Sequence, residues 1–346
     1  MQDRGERTPG KRALICGISG QDGTYLAHLL LSKGYEVFGT SRDAEMSRFD
    51  NLALLRIRER VKLRSMTLID FRSVLQVLSE VEPVEVYNLA GQSSVGLSFQ
   101  QPVETLESIA FGTLNLLEAI RLLGHPLRLY NASSGECFGE TTVESPASEA
   151  SPFRPRSPYG VAKAAAFWEV ANYREAYNIF VCSGLLFNHE SILRPSRFVT
   201  RKVVQTACRI AAGSRERLGV GETRVVRDWG YAPEYVEAMW LMLQQPEPAD
   251  YVIASGESHS LAEFIAACFA EVELDWRDHT DTDRSLFRAT DILQSHADPS
   301  LARERLGWQA KTSMRRLVAR LVADERAGAR TAGDGIFPVG DASAPS

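Results

Sequence analysis

Tyr159 and Lys163 stand four residues apart in the segment SPYGVAK. On a helix that spacing puts both side chains on one face, aimed at a common atom. A free phenol, with a pKa near about 10, is a poor base at neutral pH. A neighbouring ammonium favours the phenolate and lowers that value. The pair can then take the proton from a sugar hydroxyl as hydride leaves the same carbon. A second polar cluster lies in ASSGECFG, where Ser133, Ser134 and Glu136 follow an apolar run. A hydroxyl there can donate to the reacting oxygen, and a carboxylate can take a proton from carbon or act as an acid. A third group is glycine-rich: Gly17, Gly20 and Gly23 in GISGQDG follow a GxxGxxG spacing. Glycines are needed where backbone must approach phosphates closely, and a helix starting near Gly23 would aim its amides and dipole at a pyrophosphate.

These groups need a scaffold that gathers them. Between polar ends, short β-like runs at 12–16, 36–39, 61–65, 85–89, 127–132, 180–184 and 251–254 alternate with amphipathic helices at 23–32, 71–81, 112–123, 159–177 and 233–244. Right-handed crossovers between parallel strands require such helices, so the pattern predicts an α/β fold with a parallel sheet covered on both faces. The glycine turn follows the first strand, where a dinucleotide fingerprint belongs. Residues 187–230 and about 260–325 read as mixed helix and loop, forming a smaller lobe over the carboxyl ends of the strands. The ends, 1–10 and 327–346, carry no core-forming pattern and read as disordered tails.

The end of the second strand selects between nicotinamide dinucleotides. An acidic residue there holds a ribose 2′-hydroxyl, and an arginine accommodates a 2′-phosphate. The sequence reads GTSRDAEMSR. Arg42 favours NADP, Asp43 favours NAD, and Arg48 adds a second possible phosphate contact, so the balance leans to NADP with NAD possible.

Composition removes other classes. The chain has 346 residues, 44% hydrophobic and 24% charged, with 39 Lys plus Arg against 44 Asp plus Glu and a net charge of −5. That is a globular balance with no electrostatic reason to bind nucleic acid or an anionic membrane. No apolar run reaches the roughly 18–20 residues that span a bilayer, and MQDRGERTPGKR is not a secretory signal. Cys16, Cys137, Cys182, Cys208 and Cys268 are scattered without zinc-ligand spacing, so no metal site is expected. A reducing cytoplasm is the expected location.

With these elements together, the sequence resembles the GDP-mannose 4,6-dehydratases, within the extended short-chain dehydrogenase/reductases. The GxxGxxG turn carries the spacing of the extended type. From about Lys11 to Ala323 the segments GISGQDGTYLAHLLLSKGYEV, VYNLAGQSSVGLSFQQPVET, PFRPRSPYGVAK, NYREAYNIFVCSGLLFNHES, FVTRKV, RDWGYAPEYVEAMWLMLQQ and DPSLARERLGW are similar to that family in order. FNHES and RDWG are far more specific than YxxxK. The resemblance implies a Rossmann-type doubly wound sheet of about seven strands with a smaller mixed α/β substrate lobe. The NADP-binding domain would span 11–186, completed by about 231–258, and the lobe would span 187–230 and 259–326.

The implied activity is an internal redox cycle that returns its cofactor. Tyr159 would deprotonate the C4 hydroxyl as hydride leaves C4. Lys163 would depress the tyrosine pKa and hold the nicotinamide ribose. Ser134, in place of the family's threonine, would bond the C4 oxygen. Glu136 would remove the C5 proton, water would leave C6, and hydride would return there, giving GDP-4-keto-6-deoxy-mannose. The resemblance further implies cofactor contacts from Gly17, Gly20, Gln21, Asp22, Gly23, Arg42, Leu68, Leu89, Ala90, Tyr159, Lys163 and His189. Ser93, Asn188, Lys202, Arg227 and Arg288 would hold a GDP-sugar. A homodimer or homotetramer would form through helices 112–123 and 159–177. The chain departs from the family pattern at Cys16, Asp43, Thr67 and Gly135, while Asp291 keeps an acidic residue in FRATDI. A GDP-sugar 4-ketoreductase or epimerase, and a catalytically silent nucleotide-sugar-binding protein, are the alternatives on the same fold.

Overall fold

A computed structural model of the chain describes residues 11–328; the expectations for 1–10 and for 329–346 lie outside the described residues. Twelve strands are described: β1 (Arg12–Cys16), β2 (Glu36–Ser41), β3 (Lys62–Ser65), β4 (Glu85–Asn88), β5 (Arg128–Ser134), β6 (Phe180–Leu186), β7 (Asn188–Glu190), β8 (Leu218–Val220), β9 (Val226–Tyr231), β10 (Tyr251–Ile253), β11 (Ser258–Ser260) and β12 (Thr280–Thr282). Seven form one parallel sheet in the order β10-β6-β5-β4-β1-β2-β3. All seven strand runs expected from the sequence are in it. The order reverses beside β1, so a crevice opens at the carboxyl ends of β1 and β4, the switch point at which open α/β sheets bind ligands.

The sheet is buried on both faces, and its strands accordingly read as apolar runs rather than alternating ones. On one face, helices Gln21–Ser32 and Ala232–Gln244 bury Leu26, Leu30, Tyr235 and Met239 against Ile15, Tyr87 and Tyr130. On the other, helices Phe71–Val81, Gly112–Leu123 and Pro158–Tyr177 bury Val74, Leu78, Leu116, Ile120 and Val170 against Leu14, Val86 and Leu129. Each fully buried aliphatic side chain contributes about 1.5–3 kcal/mol. These two layers hold the carboxyl edge of the sheet rigid. Helix boundaries follow local chemistry. Asp70 caps Phe71–Val81 by accepting from the Arg72 and Ser73 amides. Gly124, in the left-handed region, ends Gly112–Leu123.

The rest of the chain builds small sheets above that edge. β7 leaves β6 after one residue and pairs in parallel with β9, which pairs antiparallel with β11. β8 and β12 form a parallel pair. Helices Val199–Ala211, Leu261–Ala270 and Met314–Arg326 enclose a separate apolar core of Val203, Trp229, Phe264, Phe269, Leu317 and Leu321. This is the smaller mixed lobe the sequence pattern predicted.

Candidate active site

The Tyr159 helix starts where its sequence dictates. Ser157 accepts from the Gly160 amide at 3.0 Å and Pro158 occupies the first turn, so Tyr159 leaves that turn and Lys163 sits one turn later. A side chain at Gly160 would strike the Glu136 carbonyl, its Cβ only 2.9 Å away, so the glycine lets this turn press against the 135–137 loop. β5 runs to Ser134, two residues beyond the expected end, which places Ser133 and Ser134 at its carboxyl tip. The Ser134 hydroxyl caps the 3-10 turn Gly135–Cys137 by accepting from the Glu136 amide at 3.2 Å.

Ser134, Glu136, Tyr159 and Lys163 line one cavity of ≈ 770 Å³, together with Asp22, Leu89, Ser93, Asn188, His189, Lys202, Arg227 and Arg288. All four candidate catalytic side chains and all five candidate sugar-nucleotide contacts therefore meet. Gly17, Gly20, Gln21, Gly23, Arg42, Leu68 and Ala90 are not among the lining residues; they follow the carboxyl ends of β1 to β4. Asp291 was noted in the sequence only as an acidic residue. Here one of its oxygens accepts from both Arg227 and Arg288 at 3.2 Å, bracing two lobe arginines toward the cavity. Lys202 donates to the Gly219 carbonyl at 2.7 Å. Arg194 also lines the cavity, held by Glu190 at 3.2 Å. The sequence reading missed it, although the basic run that follows FNHES was the available signal.

The electrostatics correct one expectation. Lys163 was expected to lower the Tyr159 pKa. Burial instead pushes the phenol above its ordinary value, with the Ser134 hydroxyl working against it. Burial also pulls Lys163 down to about 8, against Cys137 and Asp22. The YxxxK spacing names the partners but not the desolvation, which depends on the packed cavity. Glu136 is raised first by burial and then by Asp291, with Arg227 and Arg288 opposing. A buried carboxyl with a raised pKa is a stronger base once ionised, which suits removal of a proton from carbon.

The glycine turn fits a dinucleotide. Gly17 has φ +83°, and a Cβ there would stand 2.9 Å from the Leu89 carbonyl. At Gly23 a Cβ would lie 2.4 Å from the Gly17 carbonyl, so the helix packs directly on the turn. Gly20 differs: its Cβ would meet only the Gly17 carbonyl at 3.4 Å, leaving an open face. No side chain caps the helix that begins there. Unclaimed amides behind an open glycine face make an anion cradle. Among the described residues no cluster of His, Cys, Asp or Glu could hold a metal.

A parallel sheet with a glycine turn after its first strand, and a Tyr/Lys helix against its fifth, defines an extended short-chain dehydrogenase/reductase. Solved structures agree on the fold: a UDP-glucose 4-epimerase from Thermus thermophilus in complex with NAD superposes with a TM-score of 0.80 at 27% identity, over 91% of this chain and 99% of that one. A dTDP-glucose 4,6-dehydratase from Bacillus anthracis in complex with NAD also gives 0.80, at 16% identity over 92% and 97%. The sequence relationship is narrower. The profile of the GDP-mannose 4,6 dehydratase family matches residues 14–321. GDP-mannose 4,6 dehydratase 1 of Arabidopsis thaliana is 45% identical over 92% of this chain and 90% of its own length. GDP-mannose 4,6-dehydratase of Vibrio cholerae is 42% identical over 91% and 93%. The chain belongs to the GDP-mannose 4,6-dehydratase family.

Proposed function

We propose that this chain is a hydro-lyase that converts GDP-mannose to GDP-4-keto-6-deoxy-mannose. The observation that carries the reading is Glu136 in the same cavity as Ser134, Tyr159 and Lys163. A 4-ketoreductase needs no base at C5, whereas dehydration across C5 and C6 does. A bound nicotinamide dinucleotide supplies the hydride acceptor for C4 and the donor for C6. Tyr159 takes the C4 hydroxyl proton and Ser134 donates to the C4 oxygen. The Lys163 ammonium, one helical turn on, works against the burial that holds the phenol above its ordinary value. Glu136 removes the C5 proton that the new ketone acidifies and gives it to the C6 hydroxyl, which leaves as water; C5 takes a proton from solvent when hydride reaches C6. Arg227, Arg288 and Lys202 suit a diphosphate, and Ser93 and Asn188 supply neutral hydrogen bonds to the sugar nucleotide.

Gly17, Gly20, Gln21, Asp22, Gly23, Leu68, Leu89, Ala90 and His189 would hold the dinucleotide, with Arg42 on a 2′-phosphate. NADP is favoured over NAD by what surrounds Asp43. Its Oδ1 accepts from the Glu45 and Met46 amides at 3.1 and 2.9 Å, which turns that oxygen toward its own loop. Arg42, exposed at the end of β2, has no such engagement. A homo-oligomer is supported by Phe111, Leu122, Val161, Trp168 and Tyr177, apolar side chains left exposed on helices Gly112–Leu123 and Pro158–Tyr177 or at their ends. Five free cysteines suit a reducing cytoplasm. No helix among the described residues is long and apolar enough to cross a membrane.

The test is Glu136→Gln. Given GDP-mannose, the wild-type protein should form a 4-keto-6-deoxy product without added cofactor and take solvent deuterium into C5. The variant should oxidise C4 and stall, accumulating the absorbance of reduced nicotinamide. Wild-type rates of 6-deoxy product from Glu136→Gln, or no deuterium at C5, would overturn the reading.

A further inference from the structure

Three segments far apart in the chain meet on one buried ring. His189, in FNHES, lies between the glycine turn and the RDWGY segment. Its Nε2 is 2.9 Å from Asp22 Oδ2 and its Nδ1 is 2.7 Å from the Phe187 carbonyl. The Tyr235 ring stacks on it, centroids 4.6 Å apart. Tyr235 reaches that position because residue 230 is glycine: a Cβ there would stand 2.2 Å from the tyrosine ring. Gln21 completes the clamp. Its Nε2 donates to Asp22 Oδ1 at 3.0 Å and to the His189 carbonyl at 3.1 Å, while its Oε1 accepts from Ser191 at 2.7 Å.

The donors and acceptors fix the ring's state. A carbonyl oxygen only accepts, so Nδ1 must carry a proton. The proton between Nε2 and Asp22 goes to the more basic partner, and imidazole exceeds a carboxylate by roughly 2–3 pKa units. Burial alone would lower His189, but the charge and hydrogen bond of Asp22 override it and raise the ring. Burial alone would raise Asp22, and His189 chiefly brings it below its ordinary value. Other groups face the pair. Arg194, itself paired with Glu190, opposes the ring's charge, and Lys163 faces Asp22 across the cavity. Tyr235 and Tyr130 face the pair as uncharged phenols, raised well above their ordinary value.

Asp22 is the second residue of the helix whose amino end forms the anion cradle. The helix dipole favours a carboxylate there, but an uncompensated one repels a phosphate seated on the same amides. We propose that His189 is a positioning residue, with both ring nitrogens donating, that neutralises Asp22 so the glycine turn accepts a pyrophosphate and that locks β7 to that turn. This rests on the dinucleotide reading above and adds, to His189's place among the dinucleotide contacts, a role through Asp22. One ion pair then serves both halves of the cavity, because β7 also carries Asn188.

Nitrogen-15 spectra of histidine-labelled protein test the state of the ring, with His189→Gln supplying the assignment. Both His189 nitrogens should stay protonated to a higher pH than those of a free histidine. In Asp22→Asn, isosteric and able to fold in the same contacts, the ring should lose its second proton at lower pH than in the wild type. Calorimetry with NADP on cofactor-stripped protein tests the role. His189→Gln should bind on the order of tenfold more weakly, as expected for an uncompensated charge at a helix terminus. Asp22→Asn/His189→Gln should recover part of that loss. A neutral ring in the wild type at neutral pH overturns the proposal, as does a double variant that binds no better than His189→Gln. If wild-type protein binds neither NADP nor NAD, the dinucleotide reading falls and the neutralising role with it; the spectra still decide the ion pair.

Discussion

The Lys163 ammonium donates a 2.7 Å hydrogen bond to the carbonyl of Ala132, near the carboxyl end of the strand that carries Ser134. The lysine is thereby tied to the sheet, and its buried charge stays beside Tyr159, with Nζ 5.9 Å from that ring's centroid. Two titrations should limit turnover. Glu136 must be ionised, and its raised pKa moves the acid limb above the ordinary carboxylate range. Lys163 must be charged, and with a value near about 8 it loses its proton as pH rises through that region. The pH profile of kcat/KM should therefore inflect near about 8. Lys163→Arg, which does not titrate there, should remove that inflection. An inflection that persists in the variant would assign it to another group.

Tyr159→Phe removes one oxygen from a buried side chain and leaves the packing of its helix in place. Turnover should fall by about 10²–10⁴-fold, as for loss of a positioned acid–base group. Binding of GDP-mannose, followed by calorimetry, should change little. A variant that keeps more than about a tenth of wild-type turnover would remove the phenol from the proton relay.

Cofactor choice should follow the 42–46 loop. NADP should bind more tightly than NAD on cofactor-stripped protein. Arg42→Ala should narrow the difference and Asp43→Arg should widen it, although the second also removes the acceptor for the Glu45 and Met46 amides. Tighter binding of NAD by the wild type would reverse the preference.

Gly17→Ala tests the cradle. The turn places residue 17 at φ +83° with the Leu89 carbonyl 2.9 Å from a Cβ, so the change should cost about 1–3 kcal/mol of stability. Added NADP should raise the melting temperature of the wild type through linkage and raise that of the variant much less. Equal cofactor-induced shifts would place the dinucleotide elsewhere.

The exposed face of the Tyr159 helix gives a separate test. Trp168 is 61% exposed, and Val161, two turns earlier on the same face of the helix, is exposed with it. Trp168→Glu should shift sedimentation toward a monomer at unchanged secondary structure. A wild-type protein that sediments as a monomer would refute the oligomer.

The main sheet was legible because its strands are buried on both faces and carry unbroken apolar runs, as in ALIC and FVCSGLL. The helix boundaries followed Ser157, Asp70 and Gly124, local signals that need no tertiary context. The small sheets were not legible: β7, β8, β11 and β12 have three residues each, too few for a period, and their partners come from distant segments. The same limit hid the Asp22–His189 pair, which joins positions 167 apart in the chain. The direction of the Tyr159 shift was hidden for a different reason. Spacing names neighbours, whereas desolvation belongs to the closed cavity.

β6 is paired on one side by β5 and on the other by β10, and the Phe187 amide just beyond it donates to the Ile253 carbonyl at 3.0 Å. The ribosome delivers β10 only after β7, β8, β9 and the helices Val199–Ala211 and Ala232–Gln244. A nascent chain that has not yet released Ile253 holds one flank of β6 open, with main-chain donors and acceptors available to a strand from another polypeptide. Elongation speed across the intervening segment thus sets how long that flank is exposed to intermolecular pairing. Chains arrested before Tyr251 should be recovered with chaperones or in aggregates more than chains released at full length.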